Sequence, residues 1–165
     1  EYLNGNIIIS YGDIVYKQEV LEALINDPCD IVIASDSKWK RYWSERFDNP
    51  LDDAESFVKG KAKLVKSLGQ KETNLNNIEG QFIGLIKLSN KGCDDIISTY
   101  NECYNLTSSS ENAWESNRSL KLAYMTDLLN FLAKQNKLSF NEINRGWVEI
   151  DDLKDLEIAN KVSWI

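Results

Sequence analysis

The chain has 165 residues, 42% hydrophobic and 10% aromatic, which is enough for one domain with a buried core. Its 26 acidic residues outnumber its 19 basic ones, and the formal net charge of -7 argues against binding to nucleic acid. Histidine is absent, which excludes sites built on a histidine base or histidine metal ligands. No apolar run approaches the roughly 20 residues that cross a bilayer, so no membrane partner is expected.

The first part of the chain predicts a strand, a helix and a second strand. An apolar, β-branched run at 6–11 is typical of a buried strand, and apolar residues recur at helical spacing over 17–26. A second apolar strand follows at 30–35. This order predicts a βαβ unit with parallel pairing and a right-handed crossover.

The rest of the chain continues the alternation of helices and strands, with no repeat and no linker between domains. An aromatic and basic helix is predicted at 38–47, then two extended pieces within 54–68 that turn at Lys59-Gly60-Lys61, and a polar loop at 69–77. The strand 81–88 contains Gly84, which indicates a bulge or the close approach of a ligand. The remaining predictions are helices at 91–104 and 114–136 around a loop at 107–111, strands at 140–143 and 146–150, and a helix at 152–162.

Two places in the sequence offer carboxylates for a metal site. Asp13 follows Gly12 at the carboxyl end of the first strand, the edge where open α/β sheets bind ligands. Strand alternation places Glu149 and Asp151 on one face, where a cation would offset their repulsion. Each has a structural alternative: Asp13 as a turn or helix-capping residue, and Asp151 or Asp152 as the cap of the last helix beside a solvated Glu149.

The order of several sequence blocks resembles a known family, the small-substrate nucleotidyltransferases. The blocks are Ser10-Tyr11-Gly12-Asp13-Ile14, Trp39 with Tyr42 and Arg46, Asn49-Pro50-Leu51-Asp52-Asp53-Ala54-Glu55, Glu79-Gly80-Gln81-Phe82-Ile83-Gly84-Leu85, Tyr124-Met125-Thr126-Asp127-Leu128-Leu129 and Gly146-Trp147-Val148-Glu149-Ile150-Asp151. Within the family, the chain is most similar to the phosphocholine and 2-aminoethylphosphonate cytidylyltransferases, including those associated with phosphoenolpyruvate mutase. The resemblance spans almost the whole chain.

The resemblance implies a Rossmann-like α/β fold with a mostly parallel sheet of the nucleotidyltransferase (GT-A-like) type. It implies Mg²⁺ as the cofactor, with Asp13, Glu149 and Asp151 as metal ligands and with Asp13 and Asp151 as the catalytic carboxylates. A nucleoside triphosphate, expected to be CTP, would then react with a small phosphate or phosphonate such as phosphocholine or 2-aminoethylphosphonate and release pyrophosphate. Such an enzyme is expected to be cytoplasmic, which the three widely spaced cysteines also suit.

A set of residues within the matching blocks is expected to bind substrate. The set comprises Gly12, Arg46, Asp52, Asp53, Glu79, Gly80, Gln81 and Trp147. Asp52, Asp53 and Glu55 form an acidic group suited to an ammonium ion, and the aromatic residues of 38–47 suit a quaternary amine. The alternative is that these aromatic residues belong to the core and that Asp52 and Asp53 lie in solvated turns.

One part of the family pattern is missing from this chain. The family opens with a strand and a glycine-rich loop that cradle the triphosphate, and no such segment occurs here. Residues 1–165 are therefore expected to be the C-terminal portion of a single domain, incomplete at its N-terminus. Such a portion would be inactive alone and would act within a longer chain or a homodimer. The alternatives are a sugar-1-phosphate nucleotidyltransferase, a glycosyltransferase of the same fold and a non-catalytic domain.

Overall fold

The computed structural model describes residues 3–106 and 112–165, and the loop predicted at 107–111 lies outside them. The strands are β1 (Ile7–Ser10), β2 (Ile14–Tyr16), β3 (Ile31–Asp36), β4 (Glu55–Lys59), β5 (Val65–Lys71), β6 (Gln81–Leu88), β7 (Ser139–Ile143) and β8 (Trp147–Glu149). The helices are α1 (Gln18–Ile25), α2 (Trp39–Arg46), α3 (Asn90–Leu106), α4 (Met125–Lys134) and α5 (Leu153–Ala159).

The main sheet has four strands in the order β1-β6-β3-β7. β6 is antiparallel to both β1 and β3, whereas β3 and β7 are parallel, so β1, β3 and β7 all run in one direction. The α/β fold that was predicted is confirmed, but the sheet is mixed, because β3–β7 is its one parallel pair among the described residues. The direct pairing of the first and second main strands was wrong, because the almost fully buried β6 inserts between them and Ile86 lies opposite both Ile9 and Ile33.

Two smaller ribbons flank the main sheet. β4 and β5 form the predicted hairpin. β2 and β8 form an antiparallel ribbon in which Ile14 lies opposite Glu149 and Tyr16 opposite Trp147. The sequence analysis did not predict this second ribbon. It joins the segment after the first strand to the last strand of the chain, and so brings the two predicted groups of metal carboxylates to one place.

Two segments differ from the predictions made for them. The polar stretch at 69–77 was predicted as a loop. In the structure β5 extends into it as far as Lys71, and a short 3₁₀ turn follows at Leu75–Asn77. The helix predicted at 114–136 is shorter in the structure, where α4 covers Met125–Lys134. Trp114 and Glu115 have φ angles of 48° and 58°, in the left-handed region, so these two residues are not part of an α-helix.

A cluster of aromatic side chains packs between α2 and β8. Trp39, Tyr42, Trp43 and Trp147 are each at most 3% exposed and contact one another mostly edge to face. The core interpretation of the aromatic residues in 38–47 is thus confirmed for these side chains. Among the described residues, no helix is long and apolar enough to cross a membrane.

Candidate active site

A cleft of about 530 Å³ opens beside the carboxyl end of β1 and between the hairpin and the β2–β8 ribbon. Its lining residues include four acidic side chains and several aromatic ones: Tyr11, Trp43, Asp53, Glu55, Gln81, Phe82, Tyr124, Met125, Thr126, Glu149 and Asp151. The four carboxylates belong to two separate stretches of sequence, Asp53 with Glu55 and Glu149 with Asp151. The fold therefore concentrates negative charge in one concave site.

Asp13 directly precedes β2, at the end of the β2–β8 ribbon, and is not among the residues that line the cleft. Its backbone carbonyl oxygen accepts a hydrogen bond from the amide of Ile150 at 2.9 Å, so Asp13 is the cross-strand neighbour of the residue before Asp151. Burial raises the pKa of the nearby Tyr11 hydroxyl, and the negative charges of Glu55, Asp13 and Glu149 raise it further. The negative charges of all three carboxylates therefore act on Tyr11, which lines the cleft.

Gly84 lies under Tyr11 in the floor of the cleft. Its φ angle is +81°, and a Cβ atom added there would lie 2.7 Å from the Tyr11 ring. The bulge predicted at Gly84 is confirmed by the register shift between the Ile33–Ile86 and Ser35–Phe82 pairs, and the close approach there is made by the protein's own tyrosine.

Arg46 is buried behind the cleft, where it binds three carboxylates. Its Nε and Nη2 donate to the two oxygens of Asp155, each at 2.9 Å, in a bidentate pair. Nη2 also donates to Asp151 Oδ2 at 2.7 Å, and Nη1 donates to Glu149 Oε2. We call Arg46, Glu149, Asp151 and Asp155 the arginine wall.

The arginine wall corrects one expectation and adds one residue. Arg46 was expected to bind substrate, but its side chain is 1% exposed and its guanidinium is already bound by protein carboxylates. Asp155 was not among the expected site residues. In sequence it is one of several acids at the start of the last helix, and nothing local identifies it as the partner of an arginine 109 positions away.

The pKa values of the carboxyl groups in the arginine wall are set by burial and by the positive charge and hydrogen bonds of Arg46. Burial alone would raise the pKa of Asp155, but hydrogen bonds from Arg46 and from the Asp151 amide lower it overall. Burial raises the pKa of Glu149 despite the opposing charge of Arg46. The backbone of Glu149 is fixed by Tyr42, whose hydroxyl donates to its carbonyl at 3.0 Å and accepts from its amide at 2.9 Å.

The opposite side of the cleft, which we call the glutamate wall, consists of Asp53, Glu55 and Gln81. Asp53 accepts a hydrogen bond from Trp43 Nε1 at 2.9 Å. Gln81 donates to the backbone carbonyl of Glu55 at 2.6 Å and fixes its position. Burial raises the pKa of Glu55, as do the charges of Asp53 and Asp127, while Arg118 opposes the shift. No described residue donates a hydrogen bond to the Glu55 carboxylate, so it remains available to a ligand.

The donors at the cleft suit a hard divalent cation in a smaller site than the one predicted. Among the described residues, no three acidic or thiol groups converge closely enough to hold a metal ion as they stand. Glu149 is directed to Arg46, whereas Asp151 uses one oxygen for Arg46 and its side chain is 52% exposed. Mg²⁺ commonly uses one or two carboxylates together with substrate phosphates and water, and Asp151 is the cleft carboxylate that fits this role, because only one of its oxygens is bound by Arg46.

The remaining expected substrate residues lie at different distances from the cleft. Asp53 and Gln81 line it, whereas Asp52 is exposed outside it and accepts from Asn49 in a short turn. Trp147 is 1% exposed and donates from Nε1 to buried Asp36 at 3.1 Å, so the expected contact with substrate was wrong.

Three further residues of the expected set occupy the surroundings of the hairpin and of β2. Glu79 accepts from the Lys59 amide at 2.6 Å outside the cleft lining, and Gly80 is buried against Ser35. Gly12 is exposed in the turn before β2 and leaves open space around its Cα. None of the three lines the cleft.

Several residues that do line the cleft were not among the expected site residues. Tyr11, Phe82, Tyr124 and Thr126 belong to the blocks that carried the family resemblance, and this was the signal that could have identified them. Tyr124 precedes α4, where its amide donates to Asp127 Oδ2 at 2.8 Å and its ring lies 4.1 Å from the Arg118 guanidinium.

Comparison with known proteins gives one curated relative and several structures of the same fold. The chain is 36% identical over 154 residues to the CTP:phosphoglutamine cytidylyltransferase of Campylobacter jejuni subsp. jejuni serotype O:2. That match covers 93% of this chain and 58% of the relative, so the chain spans less than two thirds of the relative's length. No family model matches the chain.

The structural neighbours share the fold at low sequence identity. A structure from Bacillus anthracis assigned as a glucose-1-phosphate thymidylyltransferase has a TM-score of 0.63 at 15% identity, and the match covers 98% of this chain and 55% of that one. The inositol-1-phosphate CTP transferase of T. maritima has a TM-score of 0.56 at 14% identity, with 92% and 51% covered. The resemblance seen in the sequence is confirmed: over 93% of its length the chain is similar to a cytidylyltransferase, and it has the mixed α/β fold of these nucleotidyltransferase structures.

Proposed function

We propose that this chain carries the acceptor side of an active site that transfers a cytidylyl group from CTP to a small phosphate or phosphonate. The observation that carries the proposal is the acidic cleft, which Glu149, Asp151 and the glutamate wall line and where the β2–β8 ribbon places the backbone of Asp13 opposite Ile150. The similarity to a CTP-dependent enzyme over 93% of the chain supports the choice of reaction.

In the proposed reaction, an oxygen of the acceptor's phosphate or phosphonate attacks the α-phosphorus of CTP. A new P–O bond forms as the bond to the β-phosphate oxygen breaks, and pyrophosphate leaves with the electron pair. Asp13 and Asp151 would hold Mg²⁺, which neutralises charge on the phosphate oxygens. The protein's own contribution is alignment, because the arginine wall fixes Asp151 and Gln81 fixes Glu55 on opposite sides of the acceptor.

The glutamate wall favours an acceptor with a positively charged nitrogen. Asp53 and Glu55 provide negative charge, and the aromatic rings of Tyr11, Phe82 and Tyr124 line the same cleft. Phosphoglutamine, phosphocholine and 2-aminoethylphosphonate each carry such a nitrogen, whereas a sugar 1-phosphate does not. We therefore propose an amino-acid or amino-alcohol type of acceptor, with phosphoglutamine, the acceptor named for the relative, as the first to test.

A substrate panel tests the reaction directly. Pyrophosphate release would be measured for the longest native polypeptide that contains this chain, with CTP, UTP, dTTP or ATP against the three acceptors that carry a positively charged nitrogen and against glucose 1-phosphate. We expect release with CTP and one of these three acceptors and little with glucose 1-phosphate. Release with the sugar phosphate alone would favour the sugar-1-phosphate alternative, and no release with any pair would overturn the proposal.

The role of the two metal carboxylates is tested by matched substitutions. We expect Asp13→Asn and Asp151→Asn each to lower kcat/KM at least about 100-fold, because each removes a ligand of the proposed cation. Asp94→Asn removes the same charge from an exposed position on α3 and serves as the control. A Mg²⁺ titration of Asp13→Ala that matches the unsubstituted protein would contradict the site.

A further inference from the structure

The pair formed by Arg46 and Asp155 lies behind the cleft and does not face it. Arg46 is on α2 and Asp155 on α5, and their side chains are 1% and 7% exposed. Neither residue lines the cleft, yet the pair contacts both Glu149 and Asp151, which do. We propose that Arg46 and Asp155 are positioning residues that hold Asp151 in the orientation needed to bind a divalent cation, an inference that rests on the proposed function.

Arg46 is restrained on every side, so it can act as a fixed anchor. Both oxygens of Asp155 bind its guanidinium at 2.9 Å, a bidentate geometry that sets the plane of the group. The rings of Tyr42, Trp43 and Phe47 lie 5.5, 5.5 and 5.1 Å from the guanidinium carbon. Arg46 therefore presents its remaining N–H groups in one direction.

Those remaining N–H groups fix the carboxylate of Asp151. Nη2 donates to Asp151 Oδ2 at 2.7 Å, and the amide of Asp151 donates to Asp155 Oδ2 at 3.2 Å. The pair thus holds both the side chain and the backbone of residue 151. No described residue donates to the other side-chain oxygen, Oδ1, and the side chain is 52% exposed, so Oδ1 is free to bind a cation.

The start of α5 is built to keep Asp155 in place. Asp152 caps the helix by accepting a hydrogen bond from the Asp155 amide at 2.9 Å. Lys154 donates to the backbone carbonyl of Arg46, which joins α5 to the end of α2 from a second side. Asp155 is therefore delivered to Arg46 by the helix cap, and Asp152 itself contacts neither Arg46 nor the cleft in the described structure.

The proposal makes a prediction opposite to that of simple charge. Arg46 places a positive charge beside two cleft carboxylates, so charge alone predicts that its removal leaves cation binding equal or tighter. A positioning role predicts weaker binding, because the freed carboxylates repel each other and lose a common orientation. Groups that orient metal ligands commonly contribute about 10- to 100-fold to metal affinity.

The first test compares two Asp→Asn substitutions in one helix by titrating the protein with Mn²⁺ alone, followed by electron paramagnetic resonance. Asp155→Asn breaks the bidentate pair, whereas Asp152→Asn removes the same charge and keeps an efficient helix cap. We expect the Kd for Mn²⁺ to rise about 10-fold or more in Asp155→Asn and to change less than about 2-fold in Asp152→Asn. Equal Kd values in the two variants would overturn the positioning role.

The second test covers the case in which Asp155→Asn does not fold. The double substitution Arg46→Met with Asp155→Leu replaces the buried pair by apolar groups, a change that proteins commonly tolerate. We expect this folded variant to bind Mn²⁺ about 10-fold more weakly, although the positive charge beside the cleft is gone. Equal or tighter binding would overturn the inference while leaving the proposed function intact. Failure of the unsubstituted protein to bind Mn²⁺ would overturn both.

Discussion

The two walls of the cleft carry similar numbers of carboxylates but treat them differently. In the arginine wall, a buried guanidinium binds all three carboxylates, and its hydrogen bonds lower the pKa of Asp155. In the glutamate wall, the Glu55 carboxylate has no described donor, and burial and neighbouring negative charge raise its pKa. The arginine wall is bound mainly by the protein itself and keeps only Oδ1 of Asp151 for a cation, whereas the Glu55 carboxylate of the glutamate wall is left wholly for a ligand.

This difference separates stability from recognition within one site. Charges that are paired inside the protein fix geometry, and removing one partner destabilises the folded state, but paired oxygens have little left to offer a substrate. An unpaired, half-buried carboxylate costs stability and is free to bind. We therefore expect substitutions in the arginine wall to reduce stability and a substitution at Glu55 to increase it.

The largest effect is expected for Arg46→Met. The substitution leaves Glu149, Asp151 and Asp155 without their common cation, and breaking a buried ion pair on one side costs about 3–5 kcal/mol. The free energy of unfolding would be measured in urea. Arg41→Met, at an exposed position on the same helix, is the control and is expected to change it by less than about 0.5 kcal/mol. Equal losses in the two variants would contradict a structural role for the arginine wall.

A smaller effect, dependent on pH, is expected for Asp155→Asn. Because the pKa of Asp155 is lower in the folded state, its ionised form adds stability above the ordinary pKa of about 3.9. That stability is lost as the pH falls through this value toward the lowered one. The variant should lose about 2–3 kcal/mol at pH 7 and show a shallower decline in acid. If the curves of unfolding free energy against pH ran parallel for the two proteins, Asp155 would not be the cause of the stability lost in acid.

The opposite sign is expected for Glu55→Gln. Because the pKa of Glu55 is raised in the folded state, stability falls as the pH rises from the ordinary value for glutamic acid through the raised one. Glutamine removes that loss, so the variant should be about 0.5–1 kcal/mol more stable at pH 7 and equal to the original at low pH. The KM of the variant for an acceptor with a positively charged nitrogen should rise. A variant that is destabilised at pH 7 would mean that Glu55 has a protein partner.

The smallest effect is expected for Asp152→Asn. Asparagine caps a helix about as well as aspartate, so the free energy of unfolding should change by less than about 0.5 kcal/mol. This variant also has the same formal charge as Asp155→Asn. A loss as large as that in Asp155→Asn would mean that the net charge of α5, and not the bond to Arg46, supports the arginine wall.

The sequence predicted the elements of this fold better than their partners. The limits of α1, α2 and β6 were correct to within one residue at each end, because apolar periodicity and helix-ending residues are local signals. The insertion of β6 between β1 and β3 and the pairing of β2 with β8 depend on contacts between distant segments. Local patterns carry no information on these pairings.

The candidate site shows the same division. The sequence predicted a metal site at Asp13, Glu149 and Asp151, and two of these residues, Glu149 and Asp151, line the acidic cleft. That Asp13 and Asp151 bind a metal stays a prediction. The roles expected for Arg46 and Trp147 were wrong for a common reason. A long or aromatic side chain next to a site can face either the ligand or the core, and residue type alone does not decide which. Their partners, Asp155 and Asp36, lie more than 100 positions away.

The β2–β8 ribbon also constrains when the cleft can form during synthesis. Ile14 pairs with Glu149, so one strand of the ribbon emerges from the ribosome near the beginning of this chain and the other near its end. Contacts that close such a long loop cost chain entropy and form late in folding. The main sheet can assemble around β1, β3 and β6 before β8 has been made. We therefore expect the acidic cleft to be among the last parts of this chain to form.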